Sequence, residues 1–355
     1  MLNKIEVNTF QKNLDNKRRN FAFIRNQGNI LKYLWNRFQW HYYPKIGKVP
    51  DFPLHVDIET TAKCNLRCPM CPSRHLTKEE YRKYGHMDFE LYKKLVDECA
   101  DNSIFSIRLS WRGEVLVTPD FAKYVHYAKV VKKIPNVSFL TNGAFLKGDL
   151  AEKLIEYGTD YISVSVDGLA DIYEVIRHPV KFKKIFNNLQ KFKELKEKKG
   201  AQKPVVRITT LWPAIAKDPQ AYYDKISPVC DKIVYNPLKD FDLLEPIKEN
   251  FICQFPWERL FVAFNGDVQP CSNTKERFVI ANAKKQSLKL IWNGDKMKEI
   301  RQIHKANKRM TIFPCDHCSY GIDYTALWKD RDWTDWDPKE MLPKEESNIN
   351  LTGYL

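Results

Sequence analysis

The chain has 355 residues, which exceeds the usual size of one domain and leaves room for one large unit with a smaller appendage. No apolar run approaches the length of about 18 residues that a membrane span needs, and the first residues lack the apolar block of a secretory signal. We therefore expect a cytoplasmic protein. The net charge of +14 lies mainly in the first 50 residues, where ten Lys or Arg stand against two acids.

Within this basic segment the sequence predicts an amphipathic helix. Its apolar and aromatic residues recur at helical spacing: Leu31, Leu34, Trp35, Phe38 and Tyr42. We expect the helix to pack against the outside of the main domain, because aromatic-basic stripes are more often half-buried faces than binding sites. The alternative is contact with an anionic membrane surface, a lipid-linked substrate or nucleic acid.

From residue 55 to about 237, apolar strands alternate with amphipathic helices, which indicates right-handed crossovers and a parallel sheet. Helical patterns fall near 88–100, 118–132, 149–157, 181–198 and 217–226. Six such units are too few for the common eightfold barrel, so the predicted fold is α/β, a partial (β/α)6 TIM-like barrel with its site at the carboxyl ends of the strands. The predicted strands are 55–61, 106–110, 137–141, 161–166, 205–210 and 232–236.

Three cysteines follow the first of these strands within eight residues: Cys64, Cys68 and Cys71. No fourth Cys or His stands in register to complete a tetrahedron. A structural cysteine site normally supplies four thiolates, whereas an iron-sulfur cube held by three leaves one iron open to bind a small molecule. The spacing therefore predicts a catalytic cluster, and a zinc site that borrows His75 is the alternative.

This spacing, in its strand-loop-helix context, resembles the radical S-adenosylmethionine superfamily, over residues 55–320. The resemblance implies that the open iron chelates the amino and carboxylate groups of S-adenosylmethionine. It also implies that one electron from the reduced cluster yields a 5′-deoxyadenosyl radical, which removes hydrogen from an unactivated carbon of the substrate. An electron donor such as flavodoxin or ferredoxin would be the partner.

Gly113 and Glu114, after the second strand, are similar to a Gly-Glu-Pro element of that superfamily. In the family this element offers exposed backbone and a carboxylate to the ammonium of methionine. Val115 stands here in place of the usual proline. The resemblance implies that this turn binds the cofactor.

Further implied cofactor contacts lie at the ends of later strands. Ser165 and Asp167 would accept the ribose hydroxyls, and Asn142 belongs to a turn near the nucleoside. Arg177 or Arg207 would pair with the methionine carboxylate. A plain strand-end cap is the alternative for the first pair, and a surface ion pair for either arginine.

A second set of four cysteines follows from residue 250: Cys253, Cys271, Cys315 and Cys318. Four thiolates make a closed site. Their arrangement resembles the SPASM extension in its shortened form, the twitch domain. The resemblance implies two 4Fe-4S clusters in the protein, one that binds S-adenosylmethionine and one auxiliary. A structural zinc ion is the alternative for the second site.

A small separate module is predicted in the same region, because the segments 259–264 and 268–269 flank Asn265-Gly266-Asp267, which is typical of a hairpin. The predicted division is a basic N-terminal extension (1–52), a partial-barrel core (53–245), an auxiliary-cluster domain (246–325) and an acidic aromatic tail (326–355).

Two cysteines remain, Cys99 on a predicted helix and Cys230 just before the last strand. Both are residues of a kind that often fills apolar cores. An epimerase, however, must return hydrogen to the substrate from a donor, and Cys230 is the candidate for that catalytic role. A dehydrogenase instead takes away a second electron, which the auxiliary cluster would accept.

Relatives with one auxiliary cluster include oxidases and epimerases of sugars and aminocyclitols, whereas many peptide-modifying relatives carry two and a leader-binding domain. About 50 residues precede the first strand, which leaves no room for such a domain of ordinary size. The resemblance therefore favours a carbohydrate or aminocyclitol dehydrogenase or epimerase with a small-molecule substrate. The alternatives are peptide modification, RNA modification and a non-catalytic iron-sulfur or zinc protein. We expect no nucleic-acid partner, and peripheral membrane contact stays open.

Overall fold

The structure is a computed structural model that describes residues 6–7, 30–71, 77–236, 238, 251–272, 278–318 and 332–341. His75 and most of the predicted C-terminal tail lie outside the described residues. The described strands are β1 (Glu6–Val7), β2 (His55–Ile58), β3 (Ser106–Arg108), β4 (Asn136–Thr141), β5 (Tyr161–Ser165), β6 (Val205–Leu211), β7 (Lys232–Asn236), β8 (Arg259–Val262), β9 (Asp267–Gln269) and β10 (Ala281–Asn282).

In the described part of the chain these strands form one sheet, in the order β1-β7-β6-β5-β4-β3-β2-β8-β9-β10. Every pairing from β1 to β8 is parallel. The six predicted strands are present as β2 to β7, and they neighbour one another in chain order. The predicted α/β partial barrel is therefore confirmed.

Along β4 and β6, buried residues alternate with more accessible ones. On β6, Val206 and Ile208 are buried, while Arg207 and Thr209 are half-buried. A period of two is what a strand needs to send one set of side chains towards covering helices and the other into the barrel. The apolar core therefore lies between the sheet and its helices.

Helices follow the strands as the sequence predicts. Asp218 caps one of them through the backbone N–H of Ala221 at 2.8 Å, with Pro219 as the first helical residue, which needs no N–H donor there. The second predicted helix begins at Phe121 and changes to a π-helix over Tyr127–Val131. The helices are α1 (Ile30–Ile46), α2 (Lys78–Arg82), α3 (Phe89–Asp101), α4 (Phe121–His126), α5 (Gly148–Glu156), α6 (Ala170–Ile176), α7 (Phe182–Lys198), α8 (Pro219–Ile226), α9 (Phe255–Glu258), α10 (Leu288–Asn293) and α11 (Asp295–Lys305).

The predicted hairpin is present, since β8 pairs with β9 in antiparallel register around a turn in which Gly266 has φ +90°. The sequence predicts that this hairpin belongs to a module separate from the barrel. In the structure the hairpin instead joins the sheet of the barrel. β8 is hydrogen-bonded in parallel to β2, with Val56 opposite Leu260 and Ile58 opposite Val262. The hairpin thus continues the main sheet at the edge next to the strand that leads into the three-cysteine loop.

Helix α1 packs against the amino ends of the strands, but not through the residues that predict it. Trp40 and Tyr43 are buried, and the ring of Trp40 lies 4.6 Å from the Arg259 guanidinium at the start of β8. The predicted stripe is exposed: Leu31, Leu34, Trp35, Phe38 and Tyr42. The helix therefore packs against the main domain as predicted, but through the face opposite to the predicted stripe. No helix within the described ranges is long and apolar enough to cross a bilayer.

A buried charge cluster closes the same end of the barrel. The fully buried Asp57 forms an ion pair with Arg108 Nε and lies 3.6 Å from Arg259 Nη1 and 3.4 Å from His55 Nε2. Burial alone would raise the pKa of Asp57, but the positive charges of Arg108, His55 and Arg259 outweigh it and lower this pKa to about 2. Asp57 therefore carries the counter-charge for the arginines at this end of the barrel.

Replacing Asp57 with Asn keeps the shape of the side chain but leaves Arg108 and Arg259 without their shared carboxylate. We expect the free energy of unfolding to fall by about 3 kcal/mol, since removing one partner of a buried ion pair leaves an uncompensated charge. Thermal and denaturant unfolding of the anaerobically purified protein measure this. Asp149→Asn is the control, because its pair with Lys153 is exposed and should change little. Equal destabilisation by both variants would contradict the structural role of Asp57.

Candidate iron-sulfur site

The three-cysteine loop follows β2 at the carboxyl end of the barrel. Cys68 is buried, and Cys64 and Cys71 are half-buried. The backbone N–H of Cys71 donates to the carbonyl of Cys68 at 3.0 Å, which folds the loop into a tight turn. Tyr81 holds the other end, because its hydroxyl donates to the Cys64 carbonyl and accepts from the Cys64 N–H, at 3.0 and 3.1 Å. The loop therefore has a fixed backbone.

Gly113 allows the turn after β3 to lie directly against this loop. A Cβ atom at Gly113 would come within 2.3 Å of the Thr61 carbonyl oxygen and 2.7 Å of the Lys63 carbonyl oxygen. Those contacts are shorter than any real Cβ atom tolerates, so only glycine fits. The next residue, Glu114, donates its N–H to the Lys63 carbonyl at 2.8 Å. The sequence analysis predicts a cofactor contact here, and the structure adds a close backbone approach.

The Glu114 carboxylate is buried at the centre of a hydrogen-bond network. It accepts from the hydroxyl of Thr141 at 2.5 Å and from the backbone N–H groups of Asn142 and Leu116 at 2.6 and 3.0 Å. Asn142 in turn donates to Asn65 Oδ1, inside the three-cysteine loop, at 2.9 Å. Burial raises the pKa of Glu114, and these donors oppose the rise. A carboxylate offers about four acceptor positions, so one remains for a further donor.

Asp167 and Arg177 form a second connection to the loop. Arg177 is ion-paired with Asp167 through Nε and Nη2, and its Nη1 lies 3.6 Å from Cys68 Sγ. The other carboxylate oxygen of Asp167 accepts from the Leu211 N–H at 2.8 Å. Asp167 therefore orients a guanidinium beside a cysteine, a use that the sequence analysis did not foresee. Its role towards a ribose stays a prediction.

The remaining predicted cofactor residues lie at different depths. Ser165 ends β5 at the carboxyl edge and is half-buried. Arg207 lies deeper in the inner wall, where Nε and Nη2 each donate to Ser163 Oγ at 3.2 Å and the guanidinium lies 5.1 Å from the Tyr161 ring centroid. Of the two arginine candidates, the structure therefore brings Arg177 to the cysteines and places Arg207 in the wall.

Cys230 is not brought to this site. It precedes the first residue of β7, at the amino edge of the sheet, and its thiol lies 3.4 Å from the Ile226 carbonyl oxygen. The three-cysteine loop follows the carboxyl end of β2, so the two lie at opposite edges of a parallel sheet. Cys99 is fully buried on α3, as expected of an apolar filler.

Two thiols of the loop, those of Cys64 and Cys68, have raised pKa values and need a positive partner to ionise. Burial, reinforced by the negative charges of Glu114, Cys68 and Cys71, raises the pKa of Cys64 to about 12. Burial likewise raises the pKa of Cys68 to about 11, although Arg177 opposes the rise. A metal cluster supplies the positive charge that converts such thiols to thiolate ligands. The donor set therefore fits an iron-sulfur cluster.

The second cysteine set lines one common recess. Cys253, Cys271, Cys315 and Cys318 line this recess together with His304 and Arg309, and its apolar walls come from Phe255, Pro256, Pro270, Phe278 and Ile300. The negative charges of the other three thiols act on Cys253, whose pKa is raised chiefly by burial. Four thiols around one apolar space fit a four-ligand cluster.

No group of three or more His, Cys, Asp or Glu side chains in the described ranges is drawn together around a single ion. An iron-sulfur cube does not require such convergence, because each thiolate binds a different iron. All nine cysteines are free thiols.

Three residues at these sites are missing from the sequence analysis. Tyr81 and Asn65 act through partners far along the chain, and no local pattern marks them. His304 lies 3.6 Å from Cys315 Sγ through Nε2, and burial lowers its pKa to about 4. Its position could have been found, since Met297, Ile300, Arg301 and His304 form a buried helical face at intervals of three and four residues.

Comparisons with known proteins agree with both cysteine sites. A family model described as the radical SAM superfamily matches residues 58–213, and one described as an iron-sulfur cluster-binding domain, SPASM, matches residues 253–319. The first contains the three-cysteine loop, and the second contains all four later cysteines. The two domains imply S-adenosylmethionine and 4Fe-4S clusters as cofactors.

One curated relative is the tungsten-containing aldehyde ferredoxin oxidoreductase cofactor-modifying protein of Pyrococcus furiosus, 32% identical over 123 residues, which are 34% of this chain and 33% of that protein. The chain thus matches about a third of that relative's length.

Solved structures share the fold at low identity. BtrN in complex with AdoMet and 2-DOIA has a TM-score of 0.50 at 21% identity, covering 75% of this chain and 92% of that one. SuiB of Streptococcus suis bound to S-adenosylmethionine has a TM-score of 0.56 at 16% identity, covering 82% of this chain and 78% of that one. A further SuiB structure holds the precursor peptide SuiA.

Gly113→Ala tests the contact that positions the three-cysteine loop. The added methyl group must displace the carbonyls of Thr61 and Lys63, so we expect the variant to lose most of the iron and sulfide bound by this loop while it keeps those of the second set. Gly200→Ala is the control: its φ of +60° disfavours alanine, a backbone cost that Gly113 does not carry, but a Cβ atom there meets nothing within 4 Å. Full iron content in Gly113→Ala would show that the loop tolerates displacement.

Proposed function

Because the chain belongs to the radical SAM superfamily and carries a SPASM iron-sulfur domain, we propose that it removes hydrogen from a small polar substrate, as a carbohydrate or aminocyclitol dehydrogenase or epimerase. The substrate would be held inside the barrel, below the three-cysteine loop. Peptide modification is the second candidate, since the same fold occurs in SuiB, which has been solved with a peptide.

The observation that supports a polar substrate is the chemistry of the inner barrel wall. Neighbouring strands present Tyr161, Ser163, Arg207 and Thr209 on this side, and Ser163 Oγ lies 2.9 Å from Thr209 Oγ1. Arg108, on β3, belongs to the same wall. Hydroxyl and guanidinium groups at fixed positions already bond to one another here, and their further donors and acceptors suit a molecule with many hydrogen-bonding groups.

We assign the cofactors to the two cysteine sets. Cys64, Cys68 and Cys71 would hold the cluster that binds S-adenosylmethionine, and Cys253, Cys271, Cys315 and Cys318 the auxiliary cluster. When bound, the first cluster and S-adenosylmethionine together would supply a 5′-deoxyadenosyl radical that takes hydrogen from carbon. The protein must hold the substrate carbon in position and exclude water from the site.

The chain's own charges suit the two ends of a methionine moiety. The remaining acceptor position of Glu114 would receive its ammonium, and Arg177, fixed by Asp167 beside Cys68, would donate to its carboxylate. Ser165 and Asn142, at the same edge, are left for the nucleoside. Arg207 lies in the wall with Ser163, so we assign it to the substrate instead of the cofactor.

Dehydrogenation is the form of the reaction that the geometry favours. Epimerisation needs a hydrogen donor next to the substrate radical, and Cys230, the candidate donor, lies at the amino edge of the sheet. Oxidation instead requires that the substrate lose a second electron and a proton. The second cysteine set adjoins the strands that extend the sheet beyond β2, since Cys253 precedes β8 and Cys271 follows β9, and its cluster would accept that electron.

Cys68→Ala should abolish release of 5′-deoxyadenosine when the anaerobically reconstituted protein is given S-adenosylmethionine and dithionite. A non-catalytic iron-sulfur or zinc protein would release none even as wild type, which would overturn the proposed function. Cys99→Ala is the matched control, since Cys99 is buried on α3 among apolar side chains and should leave the yield unchanged.

Turnover in deuterated water separates the two reactions. Dehydrogenation predicts a ketone product with no deuterium in a stable C–H bond, and Cys230→Ala should react as the wild type does. Deuterium in a stable C–H bond, lost in Cys230→Ala, would establish epimerisation with a thiol donor. Mass spectrometry of products from sugar, aminocyclitol and peptide candidates measures both results and tests the peptide alternative.

A further inference from the structure

Helix α1 carries the largest run of exposed apolar side chains among the described residues. Its side chains follow one another at helical spacing from end to end of the helix: Ile30, Leu31, Leu34, Trp35, Phe38, Tyr42 and Ile46. Leu31 is 79% exposed, Trp35 56% and Ile46 66%. Helix α1 thus supplies half of the large hydrophobic residues exposed in the described part of the chain. Such a contiguous patch marks an interaction surface.

The aromatic part of this face is ordered. The rings of Trp35 and Phe38 stack with centroids 5.5 Å apart, and those of Phe38 and Tyr42 stack at 5.0 Å. The opposite face is fixed to the barrel, because Asn36 Nδ2 donates to the Leu54 carbonyl at 3.3 Å and Tyr33 packs edge-on against Phe105. The exposed face is therefore held rigidly outward at the amino end of the strands.

The charged residues of the helix itself have one sign. The 17 residues of α1 include no Asp or Glu, and Lys32, Lys45 and Lys48 are exposed on or next to it. Lys45 Nζ lies 5.6 Å from the Tyr42 ring centroid. Residues 1–50 hold ten Lys or Arg against two acids. A basic rim around an apolar, Trp-containing face is the pattern of helices that lie in the interface of an anionic bilayer.

We propose that α1 is a peripheral membrane anchor, and that its face from Ile30 to Ile46 inserts into the headgroup region of an anionic lipid surface. A helix of this length runs for about 25 Å, so it can lie flat in that region without crossing it. The lysines contact lipid phosphates while Trp35 and Tyr42 occupy the boundary with the acyl chains.

Charge complementarity favours lipid over a second copy of the chain. Two α1 helices packed face to face would bring together two basic rims with no acid between them. An anionic bilayer pairs with these charges and covers the apolar face in the same contact. The cysteine loop, which follows the carboxyl end of β2, remains accessible when α1 is docked.

Co-sedimentation of the full-length protein with vesicles tests the proposal. We expect binding to vesicles of phosphatidylglycerol and phosphatidylcholine, weaker binding at high salt, and little binding to phosphatidylcholine alone. The double variant Leu31→Glu/Trp35→Glu should weaken binding to the anionic vesicles by about tenfold or more, because it places two charges where apolar area is buried.

Leu290→Glu on α10 is the matched control, since Leu290 is 67% exposed but lies outside α1 and should bind as the wild type does. Both substituted α1 side chains are exposed, so iron content and circular dichroism should be unchanged in the double variant. Failure of the wild type to bind anionic vesicles would overturn the proposal. A dimer detected by analytical ultracentrifugation and lost in the double variant would also overturn it, because the face would then be a protein interface.

Discussion

The position of the three-cysteine loop depends on one backbone contact, the approach of Gly113 to the carbonyls of Thr61 and Lys63. It joins the end of β2 to the turn after β3. It also places the Glu114 carboxylate within hydrogen-bond distance of Thr141 and Asn142, at the end of β4. Asn142 in turn bonds to Asn65, which lies in the three-cysteine loop. Three successive strands thus converge on the cysteines through a chain of short polar contacts, and those to Glu114 lie in a buried region where an unpaired group would be costly.

The arrangement of the sheet relates the two cysteine sets. β8 continues the barrel on the other side of β2, so the strand that leads into the three-cysteine loop is adjacent to the hairpin that precedes Cys271. The second set is completed by Cys315 and Cys318, whose carbonyls both accept from Arg309 Nη2, at 3.2 and 2.8 Å. The auxiliary site is thus an extension of the barrel edge, supported by its own buried cation.

Sequence periodicity predicts what is local. The strands β2 to β7 and the helices between them follow from apolar alternation and capping residues such as Asp218, and the cysteine spacing marks both candidate sites. The strand β1 has two residues, which is too short to show a hydrophobic periodicity. It forms by parallel pairing with the edge strand β7. The parallel pairing of β8 with β2 is likewise a tertiary contact. The sequence of β8 predicts only that it forms one strand of a hairpin, not that it pairs with β2.

The same distinction explains the site residues. Gly113 and Glu114 are recognisable as a motif, but the steric need for glycine depends on a loop 50 positions earlier. Asp167 and Arg177 are separately visible in the sequence, and their pairing beside Cys68 is not. For α1 the sequence correctly predicts a helix, but it predicts the wrong face as the packed one. The packed face is the one that carries Trp40, which stacks on Arg259.

Helix α1 and the charge cluster of Asp57, Arg108 and Arg259 lie together at the amino end of the barrel, so its two ends differ. Within the described residues, ion pairs and a helix occupy the amino end of the barrel, which leaves the carboxyl end, where the cysteine loop lies, for a ligand to enter. For the proposed function, substrate and S-adenosylmethionine would then share one entrance.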